Sequence, residues 1–324
     1  MKRRKSFSYA KYGYLFSIPF IVAFALFSLY PTIYTAVLGF TDCKGLGNTN
    51  WNFLVDDPFK NYVNILNNPS FQTSLKNTVQ LWLMNFIPQI TLALLLTAWF
   101  TSHRHKIRGQ GFFKVVFYMP NIITAASVAI LFNALFGYPM GPVNDMLVSS
   151  GILDEAFYFI NNKTAARLIV AFIQFWMWYG NTMIVLISGV LGINPEIFEA
   201  AEVDGASDVQ IFFQITLPNL RTILLYTLIT SMIGGLNMFD IPRLFNMGGP
   251  DNATLTTSVF IYNQAFSGSY MYNRASAASM IMFLIIAICS ALLFLVMRDK
   301  DEVKKRKEDR AYRKAQKALA KGAK

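Results

Sequence analysis

Long stretches without a charged residue or a histidine recur along the chain, separated by shorter segments that carry the charges. Six of these stretches hold 30, 26, 30, 28, 18 and 23 residues, in the order 12–41, 77–102, 115–144, 168–195, 222–239 and 275–297. A helix needs about 20 residues, at about 1.5 Å each, to cross a hydrocarbon core of about 30 Å. The stretches do not alternate as the strands of a barrel do. Because backbone polar groups must be paired inside lipid, the pattern predicts an all-α membrane protein with six transmembrane helices.

Prolines and one polar uncharged stretch help to set the bounds of the six predicted spans. Prolines in or at the edges of three spans, Pro19, Pro88 and Pro120, indicate kinks or helix starts. A further uncharged stretch, 252–273, is too rich in Asn, Thr, Ser and Gly for lipid and predicts an outer loop, with or without a short amphipathic helix. We place the spans at about 12–38, 77–101, 115–137, 168–192, 220–240 and 275–297.

The composition agrees with a chain that has lipid as its solvent. Hydrophobic residues make up 54% of the chain and charged residues only 15%, whereas soluble domains carry about 25% charged residues.

The basic start, Lys2–Lys5, is typical of a signal peptide, but the apolar run is too long and lacks a small-x-small cleavage site, so we expect an uncleaved span. Cys43 and Cys289 lie far apart, which argues against a disulfide, metal or redox site.

The distribution of positive charge predicts the orientation. With six spans both termini lie on one side, and that side carries 22 of the 29 Lys and Arg residues. The positive-inside rule therefore predicts cytoplasmic N- and C-termini, namely a basic segment 1–11 and a basic tail 298–324 around a six-span domain at 12–297. The tail accounts for most of the net charge of +11. We interpret it as a contact with anionic lipid headgroups rather than with nucleic acid.

Spans four and five are joined by a segment that predicts two short helices with a turn between them. Asn194 and Pro195 suit the start of the first helix, and Gly205 suits its end because glycine readily takes the left-handed conformation. Ser207-x-x-Gln210 has the spacing of a capping box, and Pro218 is expected to end the second helix. The segment is acidic on an otherwise basic face, which indicates docking to a protein. We predict a cytoplasmic helix–turn–helix at 194–218.

The same segment carries a motif. Its spacing, Glu-Ala-Ala-x3-Gly-x9-Ile-x-Leu-Pro, resembles the EAA loop of bacterial ABC importer permeases. The resemblance implies that the loop inserts into a groove on an ATPase subunit and transmits its closure to the spans. The coupling residues that it implies are Glu199, Ala200, Ala201, Asp204, Gly205, Ile215, Leu217 and Pro218.

Further segments resemble the carbohydrate-uptake branch of that family, of the type similar to the maltose or glycerol-phosphate permease. They include Asn61-Tyr62, Asn77-Thr78, Phe117–Pro120 and Met247–Pro250. The resemblance implies a multi-pass permease of the bacterial plasma membrane that imports a sugar or oligosaccharide. It also implies as partners a second homologous permease, two ATPase subunits and an extracytoplasmic solute-binding protein.

Polar and aromatic side chains in spans four and five are the candidates for a sugar path, because polar groups inside a membrane are functional candidates by default. Gln174, Trp178 and Asn181 follow i, i+4, i+7 spacing and should share one helix face. The competing interpretation is that Trp and Tyr anchor at the interface and that the amides hold helices together. The candidate set is Gln174, Trp178, Tyr179, Asn181, Asn237 and Asp240.

Several kinds of chemistry find no support in the sequence. The chain lacks a Gly-x4-Gly-Lys-Ser/Thr motif, so we expect no cofactor in this chain and ATP with Mg²⁺ on the partner ATPase subunits. His103 and His105 are too few ligands for a metal site. The alternatives that stay open are the same importer carrying glycerol phosphate or another small polar solute, a membrane-embedded enzyme, and a membrane scaffold.

Overall fold

The computed structural model describes residues 10–48, 50–102, 104, 107–268, 270–297, 308–309 and 311–312. The chain is 75% helical, and the described residues include no strand, which confirms the all-helical prediction. The N-terminal residues 1–9, His103, His105 and most of the basic tail 298–324 lie outside the described residues.

The described residues form fifteen α-helices, with π-helical turns at Ala25–Leu29 and Phe212–Thr216 and a 3-10 turn at Phe159–Asn161. In chain order the helices are α1 (Ala10–Phe24), α2 (Tyr30–Leu38), α3 (Lys60–Leu66), α4 (Pro69–Phe100), α5 (Gln110–Ile122), α6 (Ala125–Leu135), α7 (Pro142–Ser149), α8 (Lys163–Leu191), α9 (Pro195–Val203), α10 (Asp208–Ile211), α11 (Leu217–Asn219), α12 (Arg221–Leu236), α13 (Asp240–Asn246), α14 (Thr257–Phe266) and α15 (Tyr272–Met297).

Helices long and apolar enough to cross a membrane coincide with most of the predicted spans. The described part of the chain has five of them, and the count rises to six if the bent pair α5 and α6 forms one span. The five run over Tyr12–Leu38, Pro69–Phe100, Lys163–Leu191, Arg221–Asn246 and Tyr272–Met297.

The span predicted at 115–137 coincides with a bent pair of helices, and a kink or helix start was predicted at Pro120. Helices α5 and α6 meet at an angle of 88°. The backbone of Ile123 is extended, and the Thr124 side chain accepts a hydrogen bond from the Ser127 N–H, which starts a new helix. The bend lets each half pack on a different neighbour, α5 along α8 and α6 along α13.

The span predicted at 220–240 coincides with a candidate span, Arg221–Asn246, that contains a break. Helix α12 ends at Leu236, and α13 begins only at Asp240. The side-chain amide of Asn237 donates a hydrogen bond of 2.9 Å to the Ile233 carbonyl, so it occupies an acceptor at the end of α12. Two weak helix formers, Gly234 and Gly235, immediately precede this end.

The chain divides into two compact units, of which the first comprises residues up to Gln72 together with Phe260–Leu284. A buried asparagine, Asn61, joins three of its segments. The Asn61 amide donates to the carbonyls of Gly39, at 3.0 Å, and Thr41, at 2.8 Å, while its oxygen accepts from Asn273 at 3.2 Å. Burial raises the pKa of the nearby Tyr62 phenol.

The second unit comprises Thr73–Val259 and the residues from Ile285 onward. Its core includes a cluster formed by α4, α6, α8 and α13, with Leu81, Val128, Ile173 and Ile241 almost fully buried. A close helix crossing brings Gly180 of α8 against the backbone of Phe117 in α5. Small residues permit such close approach between membrane helices.

The predicted outer loop 252–273 is less exposed than its composition indicates. Thr254, Thr256 and Thr257 are fully buried. The Thr256 hydroxyl donates to the Met238 carbonyl at 2.8 Å, and the hydroxyls of Thr78 and Thr257 lie 3.1 Å apart. Hydrogen bonding within the protein, rather than contact with water, therefore explains the polar composition here. The short helix allowed for this stretch is α14.

Candidate functional site

A polar cavity of about 400 Å³ lies within the second unit. It is bounded by α4, α8, α12 and the break that precedes α13. Its lining residues are Asn85, Gln89, Gln174, Trp178, Asn181, Thr182, Val185, Tyr226, Thr227, Thr230, Ser231, Gly234, Gly235, Asn237, Met238, Phe239 and Asp240.

The chemistry of the lining is that of neutral hydrogen-bonding groups. Five side-chain amides and five hydroxyls line the cavity, and Asp240 is the only acidic or basic residue among the described lining residues. Trp178 adds an indole whose side chain is 47% exposed. A solute with many hydroxyl groups and an apolar face matches this combination.

Direct hydrogen bonds fix part of the lining. The buried amide of Gln89 in α4 donates to the hydroxyl of Thr182 in α8 at 2.7 Å, and Asn85 donates to the Leu81 carbonyl at 2.9 Å. The Thr227 hydroxyl is buried and has no hydrogen-bond partner among the described residues. Burying an unpaired hydroxyl is costly, so Thr227 Oγ1 is an unsatisfied group in the wall of the cavity.

The cavity collects five of the six residues predicted for a substrate path: Gln174, Trp178, Asn181, Asn237 and Asp240. Tyr179 is not part of the lining. It is buried and packs beside Phe117 and Phe175, with ring centroids 6.4 Å and 5.7 Å away. Adjacent residues on a helix point about 100° apart, which explains why Trp178 faces the cavity and Tyr179 does not.

Sequence reasoning missed the contributions of α4 and of the middle of α12. Asn85 and Gln89 are spaced i, i+4, and Thr227, Thr230 and Ser231 are spaced i, i+3, i+4. Each set marks one polar helix face inside an apolar helix. That spacing was a usable signal, but it could not show that the two faces meet at α8.

The segment between α8 and α12 has the local structure that its sequence predicts in its first half. Asn194 accepts from the Glu196 N–H at 3.2 Å and so starts α9. Gly205 has φ +79°, the left-handed conformation that ends it. Ser207 and Gln210 form the predicted capping box at the start of α10.

Pro218 does not end the second helix as predicted. The π-helical turn Phe212–Thr216 precedes it, and the Leu217 N–H bonds to the Phe212 carbonyl, five residues back. Pro218 then lies in the first turn of α11, where its missing N–H costs no hydrogen bond. The Leu220 N–H bonds to the Thr216 carbonyl at 3.0 Å, and a single turn residue, Leu220, separates α11 from α12.

One face of this segment packs inward and the other is exposed. Phe198, Ala201 and Ile211 form a buried cluster with Val190 and Leu220. Most of the motif residues lie on the exposed face: Glu199, Ala200, Asp204, Gly205 and Pro218. Ile215 and Leu217 are half-buried, and Ala201 is buried. The exposed face also carries apolar side chains, with Val203 87% exposed and Val209 65% exposed.

The end of α4 braces the segment. The Ser102 hydroxyl donates to an Asp208 carboxylate oxygen at 3.0 Å, and the Arg104 guanidinium lies 3.7 Å from the other oxygen. Arg104 also donates to the Ala206 carbonyl at 2.8 Å. An apolar cavity of about 470 Å³ lies beside this brace.

The comparison with known families decides what kind of protein this is. The family described as "Binding-protein-dependent transport system inner membrane component" matches residues 14–299. The chain belongs to this family. It is therefore a multi-pass component of the cell membrane, and the family expected from the sequence motif is confirmed.

Members of this family with assigned transport systems are similar to the chain over most of its length. The lactose transport system permease protein of Rhizobium radiobacter is 32% identical, over 89% of this chain and 94% of the relative. The arabinooligosaccharides transport system permease protein of Bacillus subtilis is 29% identical, over 86% of each chain. Both are named as permease proteins of transport systems.

Solved structures show the same fold. A chain of a bacterial alginate ABC transporter, crystallised with an alginate pentasaccharide-bound periplasmic protein, superposes with a TM-score of 0.71. That match has 24% sequence identity and covers 88% of this chain and 93% of the other. A second structure, of an ABC transporter that imports the acidic polysaccharide alginate, gives a TM-score of 0.70.

Proposed function

We propose that this chain is the transmembrane permease subunit of an ATP-driven, binding-protein-dependent importer of a sugar or oligosaccharide. The observation that carries the proposal is the polar cavity enclosed by α4, α8 and α12. Polar side chains are costly in an apolar span and mark solute pathways in membrane proteins. Here ten neutral hydrogen-bonding side chains and the Trp178 indole converge on one space.

The lining suits a sugar better than it suits a smaller apolar solute. A sugar hydroxyl both donates and accepts hydrogen bonds, as do the amides of Gln174 and Asn181 and the hydroxyls of Thr230 and Ser231. The Trp178 ring offers a flat surface on which the C–H face of a pyranose can stack. The relatives named for lactose and arabinooligosaccharides support the same substrate class.

The exposed face of the segment 194–218 is the proposed contact with an ATPase subunit. Its carboxylates, at Glu199 and Asp204 among others, stand beside exposed apolar side chains, so the surface offers charge and buried area together. In this proposal the segment and both termini are cytoplasmic, and ATP with Mg²⁺ binds only to the ATPase subunits. The complete transporter has a second homologous permease, two ATPase subunits and an external solute-binding protein.

The proposed cycle uses the connection between these two places. Solute released by the binding protein enters the cavity, which the second permease completes. ATP-driven closure of the ATPase subunits acts on the segment 194–218 and changes the side from which the cavity is open. A ligand shifts such an equilibrium only through its different affinity for the two states, and ATP supplies that difference here.

The test is uptake by the complete transporter in proteoliposomes, with radiolabelled lactose, an arabinooligosaccharide and glycerol phosphate as probes. We expect ATP-dependent uptake of one of the two sugars. Trp178→Ala should lower that uptake at least tenfold. The matched control is Phe172→Ala on the same helix, because Phe172 is equally exposed, at 49%, but does not line the cavity. Uptake of glycerol phosphate alone, or equal loss in both variants, would contradict the proposal.

A further inference from the structure

We infer that Asp240 makes the cavity unfavourable for anions, so that the transported solute is a neutral or cationic sugar rather than a uronate or a phosphate ester. This inference rests on the proposed function, and it narrows the substrate class. The family description does not distinguish neutral from anionic solutes. The relatives named for lactose and arabinooligosaccharides are named for neutral sugars, whereas a structural neighbour imports an acidic polysaccharide.

The first observation is the charge of the lining. Asp240 is its only charged residue, and none of its described members is a lysine, arginine or histidine. A carboxylate or phosphate on a solute is normally recognised by Arg or Lys, which form short charge-assisted hydrogen bonds with it. The cavity wall of this chain supplies no such group.

The second observation is that Asp240 forms no ion pair with a described residue. Asp240 is exposed, and it forms no ion pair within the part of the chain that the structure describes. Arg243, one helical turn further along α13, is not among the residues that line the cavity. The Asp240 carboxylate therefore has no ion-pair partner among the described residues that line the cavity.

The third observation is the direction of α12. Its 16 residues end at Leu236, and the residues that follow, Asn237 to Asp240, line the cavity. The C-terminal end of a helix carries a partial negative charge from its unpaired carbonyl groups. The carbonyls of Ile233 and Gly235 are already paired with the N–H groups of Asn237 and Met238, so the end of α12 adds at most a weak negative potential beside Asp240.

If Asp240 only stabilised the start of α13, its charge would not affect which ions enter the cavity. An acidic residue in the first turn of a helix is favourable in itself, and Asp240 begins the short helix α13. A residue that only starts a helix would leave the ionic preference of the cavity unchanged when its charge is removed. Asn, which retains a capping oxygen without the charge, therefore separates the two roles.

The experiment measures the potential of the cavity in the complete transporter, without requiring the identity of the sugar. Cys43 and Cys289 are replaced by Ser, and Ser231→Cys places one thiol in the cavity wall. The thiol is treated from both sides of the membrane with cationic, anionic and neutral methanethiosulfonate reagents of similar size. We expect the cationic reagent to react at least tenfold faster than the anionic one, relative to their rates with a free thiol.

Variants of Asp240 test whether its charge causes the preference for the cationic reagent. Asp240→Asn should reduce the preference to less than about threefold and leave the neutral reagent unchanged, whereas Asp240→Glu should preserve it. Ser150→Cys, in an exposed turn away from the cavity lining, is the control whose ratio should not respond to Asp240→Asn. Equal rates with Asp240 present, a preference for the anionic reagent, or a preference that survives Asp240→Asn would overturn the inference. Failure of sugar uptake would instead contradict the proposed function, and the thiol ratios do not depend on it.

Discussion

The Arg167 guanidinium donates a hydrogen bond of 2.9 Å from Nε to the backbone carbonyl of Ala253, and a second, of 3.1 Å, from Nη2 to the Asn77 side chain. Asn77 in turn donates to the carbonyls of Asn252 and Leu255 at 2.6 Å and 3.2 Å. One arginine at the start of α8 thus connects α4 to the segment after α13. Asn77 and Ala253 are both 2% exposed, so their polar groups cannot form replacement hydrogen bonds with bulk water.

Arg167→Met should destabilise the protein clearly. The substitution leaves the Ala253 carbonyl and the Asn77 oxygen without their donor, and a buried group left unpaired costs about 1–3 kcal/mol. The matched control is Lys163→Met, which removes only the exposed ion pair with Asp251 at 3.1 Å, a type of pair that contributes about 0–1 kcal/mol. Thermal unfolding of the detergent-solubilised transporter measures both. Equal shifts of Tm in the two variants would contradict the conclusion that the hydrogen bonds of Arg167 stabilise the protein more than the Lys163–Asp251 ion pair does.

Gly180→Ala should disrupt the crossing of α5 and α8. An added Cβ would overlap the Phe117 carbonyl oxygen and approach the Tyr118 Cα at 2.9 Å. These are backbone atoms, so the helices must move apart, and overpacking of this kind costs about 1–3 kcal/mol. Gly111→Ala in α5 is the control, because its Cβ would meet nothing within 4 Å and alanine favours the helix. We expect a lower Tm for the first variant only.

Gly205→Val tests the coupling role separately from backbone strain. Gly205 has φ +79° and open space around its Cα, so valine should strain the backbone rather than clash. Gly151, at φ +71° and also in open space, offers a Gly151→Val variant with the same strain in the turn after α7. Co-purification of the ATPase subunits and sugar uptake should fall for Gly205→Val and persist for Gly151→Val. If both variants lost the ATPase equally, the result would indicate general instability instead.

The thiol of Cys43 should react with iodoacetamide only at alkaline pH. Burial, and secondarily the charge of Asp42, raise its pKa above the ordinary value of 9.0. A folded-state pKa above the unfolded value means that the protonated thiol contributes stability below pH 9.0, and that this contribution is lost as the pH rises through the folded value. The alkylation rate against pH, in a Cys289→Ser background, should therefore have its midpoint above 9.0.

The companion variant for this measurement is Asp42→Asn. It removes the charge beside the thiol but keeps an oxygen that can accept the hydrogen bond from the Asn52 N–H, now 2.7 Å long. The midpoint of the alkylation profile should move down without reaching the value of the unfolded chain, because burial is the larger cause of the shift. An unchanged midpoint would show that Asp42 does not act on Cys43.

The positions of the long helices could be predicted because a charged side chain is costly in lipid, so membrane spans appear in the sequence as long stretches without charged residues. The bends could be predicted only from single residues, such as the kink or helix start expected at Pro120. Ile122 and Ile123 are as apolar as their neighbours, so hydropathy alone passes through the 88° break between α5 and α6. Pro120 and the capping residue Thr124 were available signals. What decides the direction after the break is the packing of α6 on α13, which depends on residues more than one hundred positions away.

The cavity was predicted only in part for a similar reason. Helical spacing places Gln174, Trp178 and Asn181 on one face, and they do line one space. Helical spacing cannot predict that Gln89 of α4 contacts Thr182 of α8, because that contact depends on how the two helices pack in three dimensions. The reverse holds for the turn at Gly205, where the required φ and the capping box are encoded within a few residues.

The short connection between α10 and α12 has a mechanical consequence. Leu217 has helical φ and ψ angles, Leu220 is a single turn residue with ψ −1°, and the Leu224 N–H bonds to the Leu220 carbonyl at 2.8 Å. Every residue between Asp208 and Leu236 is helical or lies in that one turn, so no extended linker separates the two ends. In the proposed cycle, a movement of the braced end near Asp208 would therefore pass along the helical backbone toward Thr230 and Asn237 instead of being absorbed by a flexible loop.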